Sequence, residues 1–168
     1  LYANTTGAEN VAIGQGALSA NTTASYNVAV GRNALDLNTT GGSNTSVGSF
    51  ALAANTTAST NTAVGYASMQ DNTTGANNVS LGYEALGDNT TAAGNAAAGY
   101  KALKFNTTGA FLSAFGAYAL YNNTTGSNNT AVGYGSLDSN TTGSANAAVG
   151  LSCLNTNTTG NHNNALGY

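Results

Sequence analysis

Polar and apolar positions alternate along the chain in a pattern that returns every 17 residues without insertion or deletion. Asn-Thr-Thr opens each unit, at Asn4, Asn21, Asn38, Asn55, Asn72, Asn89, Asn106, Asn123, Asn140 and Asn157. Counting from that Asn as position 1, position 11 is Gly in every copy: Gly14, Gly31, Gly48, Gly65, Gly82, Gly99, Gly116, Gly133, Gly150 and Gly167. Position 10 is apolar throughout, from Ile13 and Val30 to Val149 and Leu166, and position 15 is Leu or Met, from Leu1 and Leu18 through Met69 to Leu154. Positions 9 and 14 are small, and position 7 is Asn everywhere except at Leu112. Charge is confined to what remains, as at Glu9, Arg32, Asp36, Glu84, Asp88, Lys101, Lys104 and Asp138.

Seventeen residues leave little room for a helical hairpin. Gly, β-branched Val and Thr, and Asn are all weak helix formers, and helical repeats have longer periods. The pattern predicts an all-β fold, a parallel β-solenoid (β-roll) of ten 17-residue rungs. Each rung holds short strands between bends and lies about 4.8 Å above the one before, so ten make a rod roughly 48 Å long. Residues 1–168 then form a single array, which starts at unit position 15, stops at position 12 and has no atypical end repeat; caps are expected outside this segment, or the segment is cut from a longer fibre.

In-register stacking explains why the period never slips: one inserted residue would turn every later side chain to the wrong face. It also turns each column into a ladder. Asn at positions 1 and 7 can pass amide hydrogen bonds from rung to rung, because each amide both donates and accepts. The Gly of position 11 fits a bend that needs positive φ or close backbone approach. Asn-Thr-Thr reads as a stacked corner.

Neighbouring residues of a strand face opposite sides, yet apolar residues are adjacent here, Ala-Val at positions 9 and 10 and Ala-Leu at 14 and 15. If the small Ala columns fill a narrow coil, the larger Val and Leu columns lie outside and form stripes too large for a monomer. That assignment predicts self-association along the rod axis, with three chains around an apolar seam. The opposite assignment, Val and Leu inside and Ala outside, permits a monomer.

The stretches "NVAIGQGAL" (10–18), "NVAVGRNAL" (27–35), "NTAVGYASM" (61–69) and "NTAVGYGSL" (129–137) resemble the head repeats of trimeric autotransporter adhesins. They are also similar to NTTG-bearing repeats of phage-tail and cell-surface fibre proteins. The resemblance covers the whole chain and implies a left-handed roll, a homotrimer borne on a stalk, and a role in attachment. Adhesin heads have a somewhat shorter unit, and the Asn-Thr-Thr corner is an addition to it.

Composition narrows the function. Three basic and six acidic residues give a net charge of −3, too little for a field that attracts nucleic acid or an anionic membrane. Asn, Thr and Gly interrupt every apolar run, so no stretch reads as a membrane-spanning helix or a signal peptide. A chain 41% apolar, without Pro and with its apolar residues in register, is ordered despite its low complexity. Many Asn and Tyr with few Lys suit an extracellular surface, a cell-surface appendage or a virion fibre, and one Cys makes no internal disulfide.

Little in the sequence points to chemistry. His162 is the one His, at the variable position 6, and Cys153 takes a column otherwise Ala or Ser, so neither belongs to a constellation. Acidic residues never recur at a calcium-roll spacing, and Gly after Thr-Thr lacks the Lys of a phosphate loop. No catalytic, cofactor or metal residue is assigned, and the chain reads as non-enzymatic. Tyr66, Tyr83, Tyr100, Tyr134 and Tyr168 share position 12 and form either an inter-rung stack or a stripe that grips sugar. Each Asn-Thr-Thr is also an N-glycosylation sequon, which makes Asn4, Asn21, Asn38, Asn55, Asn72, Asn89, Asn106, Asn123, Asn140 and Asn157 candidate glycan sites. Glycans on every rung would crowd at about 4.8 Å, and a sequon does not demand its middle Thr.

Three readings follow. The first is a rigid structural or adhesive fibre segment whose positions 5, 6, 13, 16 and 17 face solvent and engage a surface glycan or receptor by avidity. The second is a glycan-coated scaffold, and the third is a solenoid that orders ice on a Thr rank.

Overall fold

The computed structural model describes all 168 residues and contains no helix. Each unit contributes one three-residue strand at positions 8 to 10: β1 (Val11–Ile13), β2 (Val28–Val30), β3 (Thr45–Val47), β4 (Thr62–Val64), β5 (Val79–Leu81), β6 (Ala96–Ala98), β7 (Ser113–Phe115), β8 (Thr130–Val132), β9 (Ala147–Val149) and β10 (Asn164–Leu166). The strands form one parallel sheet in chain order, and every pairing is offset by one unit, Val11 opposite Val28, Val28 opposite Thr45, and so on to Ala147 opposite Asn164. The fold is a β-solenoid.

Strand pairing is the smaller part of the stacking. Of 108 backbone hydrogen bonds, 18 lie within the sheet and 90 outside it, mostly joining one rung to the next around the rest of the coil. Thr56 N–H donates to the Thr73 carbonyl, Leu52 to Ser68 and Ala54 to Gln70, while Thr60 reaches back to Gly42, Gly65 to Val47 and Ala67 to Ser49. Bends and strand alike are thereby in register, so an insertion anywhere would break bonds on two neighbouring rungs.

The bends rest on left-handed backbone. Gly at position 11 takes φ of 125–142° in all ten copies, a region open to Gly almost alone. The space is closed as well: a Cβ on Gly82 would lie 2.5 Å from the Gly99 carbonyl oxygen. Position 15 is the unexpected case. Leu18, Leu35, Leu52, Met69, Leu86, Leu103, Leu120, Leu137 and Leu154 all sit at φ of 48–54°. Such a residue costs roughly 1–2 kcal/mol, and full burial of a Leu returns about 1.5–3 kcal/mol, so the interior outweighs the strain.

This corrects the expected facing of the side chains. Leu18, Leu35, Leu52, Met69, Leu86, Leu103, Leu120 and Leu137 are fully buried inside the coil together with the Ala columns of positions 9 and 14, while the Val column of position 10 lies outside. Both proposed assignments kept Val and Leu together; the structure separates them. Alternation holds within the strand, where Ala63 points in and Thr62 and Val64 point out. It fails at positions 14 and 15 because left-handed φ at 13 and 15 coils the chain and turns two successive side chains inward. One cluster of 22 residues, chiefly Ala and Leu, forms the core. Where Ser replaces Ala it bonds a carbonyl, as Ser46 Oγ does to Ala51 O at 2.7 Å, and Cys153 fills an Ala place, buried.

Candidate functional site

The Asn-Thr-Thr corner faces inward at its Asn. Asn21, Asn38, Asn55, Asn72, Asn89, Asn106, Asn123 and Asn140 are fully buried, and Asn4 and Asn157 at the two ends are half-buried. From Asn21 to Asn157 each Nδ2 donates one hydrogen to the Oδ1 of the preceding Asn and the other to the carbonyl of position 4 in its own unit, whereas Asn4 makes only the second bond. For Asn72 these are Asn55 Oδ1 at 3.1 Å and Gly75 O at 3.0 Å, and Asn89 Nδ2 then donates to Asn72 Oδ1 at 2.7 Å. A glycan attaches to this nitrogen, and in the eight buried copies it has neither a free hydrogen nor solvent beside it. Eight of the ten candidate glycan sites are thus rungs of an interior ladder, and Asn4 and Asn157 are its half-buried ends.

Position 7 makes a second ladder of a different kind, to backbone and not side chain to side chain. Asn61 Oδ1 accepts from the Asn78 N–H at 2.9 Å while its Nδ2 donates to Gly75 O at 2.9 Å, so one carbonyl is held by both ladders. Leu112 interrupts it: its N–H still meets Asn95 Oδ1, but Leu112 offers nothing to Asn129 N–H or Gly126 O. Every buried side-chain nitrogen and oxygen is otherwise partnered.

Thr at position 2 is half-buried from Thr22 to Thr141 and spends its hydroxyl on the next rung, as Thr73 Oγ1 does on Thr90 O at 2.9 Å. Thr at position 3, from Thr6 to Thr159, is exposed in every copy. One rank of Thr therefore faces water. The outer face of the sheet carries position 10: Ile13, Val64, Leu81, Phe115, Val132, Val149 and Leu166 are exposed, flanked at position 8 by Val11 and Val79. This strip runs the length of the sheet, roughly 43 Å at about 4.8 Å per step. The expected solvent-facing positions are unequal: position 6 is largely exposed, His162 included, whereas 5 and 13 are mainly half-buried.

The position 12 column stacks in the middle of the rod. Tyr66, Tyr83 and Tyr100 lie with ring centres 5.2 and 5.4 Å apart and planes within 16°. Ala117 ends the stack; Tyr134 instead meets Tyr118 of position 13 edge-on at 5.8 Å, and Tyr168 stands free at the end. Tyr118 also packs edge-on against Tyr121 at 5.2 Å, and Tyr121 against Phe105 at 4.9 Å. All three cations are engaged nearby or below: Arg32 over Phe50, Lys101 over Tyr100 and 3.7 Å from Glu84, and Lys104 over Phe105 and paired with Asp88.

Beside this cluster a cleft of about 300 Å³ opens across the seventh, eighth and ninth complete units, lined by Tyr118, Tyr121, Asn122, Tyr134, Gly135, Asp138, Ser152 and Asn155. Asn122 Nδ2 donates to Asp138 O at 3.0 Å and reaches Asp138 Oδ1 at 3.5 Å. Burial raises the Asp138 carboxyl above the ordinary 3.8, and no cation pairs with it. Reading the columns singly missed this cleft. Its signal lies across columns, where position 13 runs Tyr118, Gly135, Ser152 and position 16 runs Tyr121, Asp138, Asn155. Comparison with protein-family models, curated proteins and solved structures found no significant match to this chain.

Proposed function

We propose that the chain is a non-enzymatic structural rod of an extracellular fibre or appendage, which self-associates through its strand face and displays its remaining surface many times over. The carrying observation is the pairing of a fully bonded interior with an apolar exterior strip. Two Asn ladders and a backbone bonded from rung to rung make bending costly, since tilting one rung breaks bonds around its whole circumference. The position 10 strip, with side-chain width included, reaches the several hundred Å² at which exposed apolar surface marks an interaction site. With Leu inside, the seam between chains reduces to positions 8 and 10, and three chains is the number that the adhesin-head resemblance supports.

Sedimentation equilibrium tests this reading. The expected result is a trimer at micromolar concentration that dissociates when Val64→Asp and Val132→Asp are combined, with the β circular dichroism retained. A monomer in the wild type would refute self-association. The buried sequons speak against the glycan scaffold. The exposed Thr rank gives the ice-ordering reading one observation in its favour, and absence of thermal hysteresis in the purified rod would remove it.

A further inference from the structure

The cleft between Tyr118 and Asn155 stands apart from the rest of the rod, because there unbonded polar side chains meet an exposed aromatic ring in a concave surface. Its origin is local. Position 13 carries Phe50, Glu84, Lys101 and Tyr118 in other units, each at φ of 50–61°, so the backbone there does not require Gly. Gly135 has φ of 60°, and a Cβ added to it would meet only Ser152 Oγ at 3.6 Å, an ordinary contact. Gly135 is therefore a missing side chain, not a bend. Its absence leaves open the notch that the exposed Tyr134 and the half-buried Tyr118 line.

What converges on the notch is a mixed set. Tyr134 is 57% exposed. Asp138 offers a carboxylate oxygen beyond the one that Asn122 reaches, and the Ser152 hydroxyl and the Asn155 side-chain amide make no hydrogen bond within the chain. Acceptors and donors thus share the cleft with one exposed and two half-buried aromatic rings. A quaternary ammonium would use the rings and Asp138 but nothing of Ser152 or Asn155. An acidic ligand would meet Asp138 without a compensating cation.

We infer that this cleft is a binding site for one neutral sugar residue, whose C–H face lies on the Tyr134 and Tyr118 rings and whose hydroxyls meet Asp138, Ser152 and Asn155. A site of about 300 Å³ stands at the lower bound of small-ligand pockets, about 300–1,000 Å³. It suits a terminal residue held weakly, with affinity supplied by several rods acting together. The inference deepens the display role proposed above and rests on it for its biological sense alone.

Saturation-transfer NMR of the full chain tests it, with methyl glucoside, galactoside and mannoside, N-acetylglucosamine, glucuronate and choline as probes. The expected result is transfer to the ring C–H protons of at least one neutral sugar and none to glucuronate. Gly135→Tyr, which places in the notch a side chain this column already accepts at Tyr118, should weaken binding at least tenfold with an unchanged circular dichroism spectrum. Tyr134→Ala should do the same, and Tyr26→Ala, on an exposed position 6 elsewhere, should have no effect. Binding to choline alone, no binding to any neutral sugar, or sugar binding that survives Gly135→Tyr would overturn the inference. Sedimentation reads the oligomer independently, so an intact trimer that binds no sugar sinks the cleft and leaves the rod, and the converse holds.

Discussion

Replacing Asn72 by Ala removes one rung of the inner ladder from the middle of the rod. Three hydrogen bonds go: Asn72 to Asn55 Oδ1, Asn72 to Gly75 O, and Asn89 to Asn72 Oδ1. The consequences differ by partner. Gly75 O keeps the Asn61 amide at 2.9 Å, and Asn89 Nδ2 keeps Ala92 O at 3.1 Å with its other hydrogen orphaned. Asn55 Oδ1 loses its donor in a place where no water reaches, since Asn55 and Asn89 are both fully buried. Two orphaned buried groups at about 1–3 kcal/mol each give an expected loss of about 2–6 kcal/mol. Urea unfolding followed by β circular dichroism measures the sum. Hydrogen exchange shows where it falls, with amides from Asn55 to Asn89 losing protection first, because rungs interact with nearest neighbours. Thr74→Ala is the control: the side chain is exposed, and a change within about 0.5 kcal/mol is expected. Asn72→Ala losing no more than Thr74→Ala would refute the ladder as a source of stability.

Asn78→Leu copies at position 7 what Leu112 already does. The orphaned Asn95 N–H costs about 1–3 kcal/mol, a buried Leu returns about 1.5–3 kcal/mol, and the urea midpoint should stay near wild type; a loss as large as that of Asn72→Ala would contradict this balance. Gly82→Ala puts a Cβ 2.5 Å from the Gly99 carbonyl at φ of 139°, and is expected to abolish the β spectrum of the central rungs or prevent soluble expression. Burial raises the native pKa of Asp138 above 3.8, so the folded state favours the protonated form. Stability should therefore be greater below 3.8 and decline as pH rises through 3.8 and the raised native value; Asp138→Asn should flatten that part of the stability profile, and an identical slope in the variant would exclude the carboxyl as its source.

The sequence by itself determined the architecture, because a strict period is a long-range statement. Seventeen residues without a slip leave one way to bring Asn72 onto Asn89 and Gly82 onto Gly99, and strong bias against helix leaves β-stacking to do it. The Asn corner and the Gly bend were legible for the same reason. Which side each column faces was decided only by the folded backbone. Alternation correctly places Val64 outside and Ala63 inside, but it presumes extended chain, and Met69 lies in a bend whose left-handed φ no residue type announces. Leu is an ordinary residue in an uncommon conformation there, held by the interior it fills. The buried state of the sequon Asn and the outward Thr follow from that same coil. The cleft depended on tertiary structure most of all, since Tyr118, Asp138 and Asn155 belong to three different units and two different columns, and only stacking three dissimilar rungs around Gly135 brings them to one place.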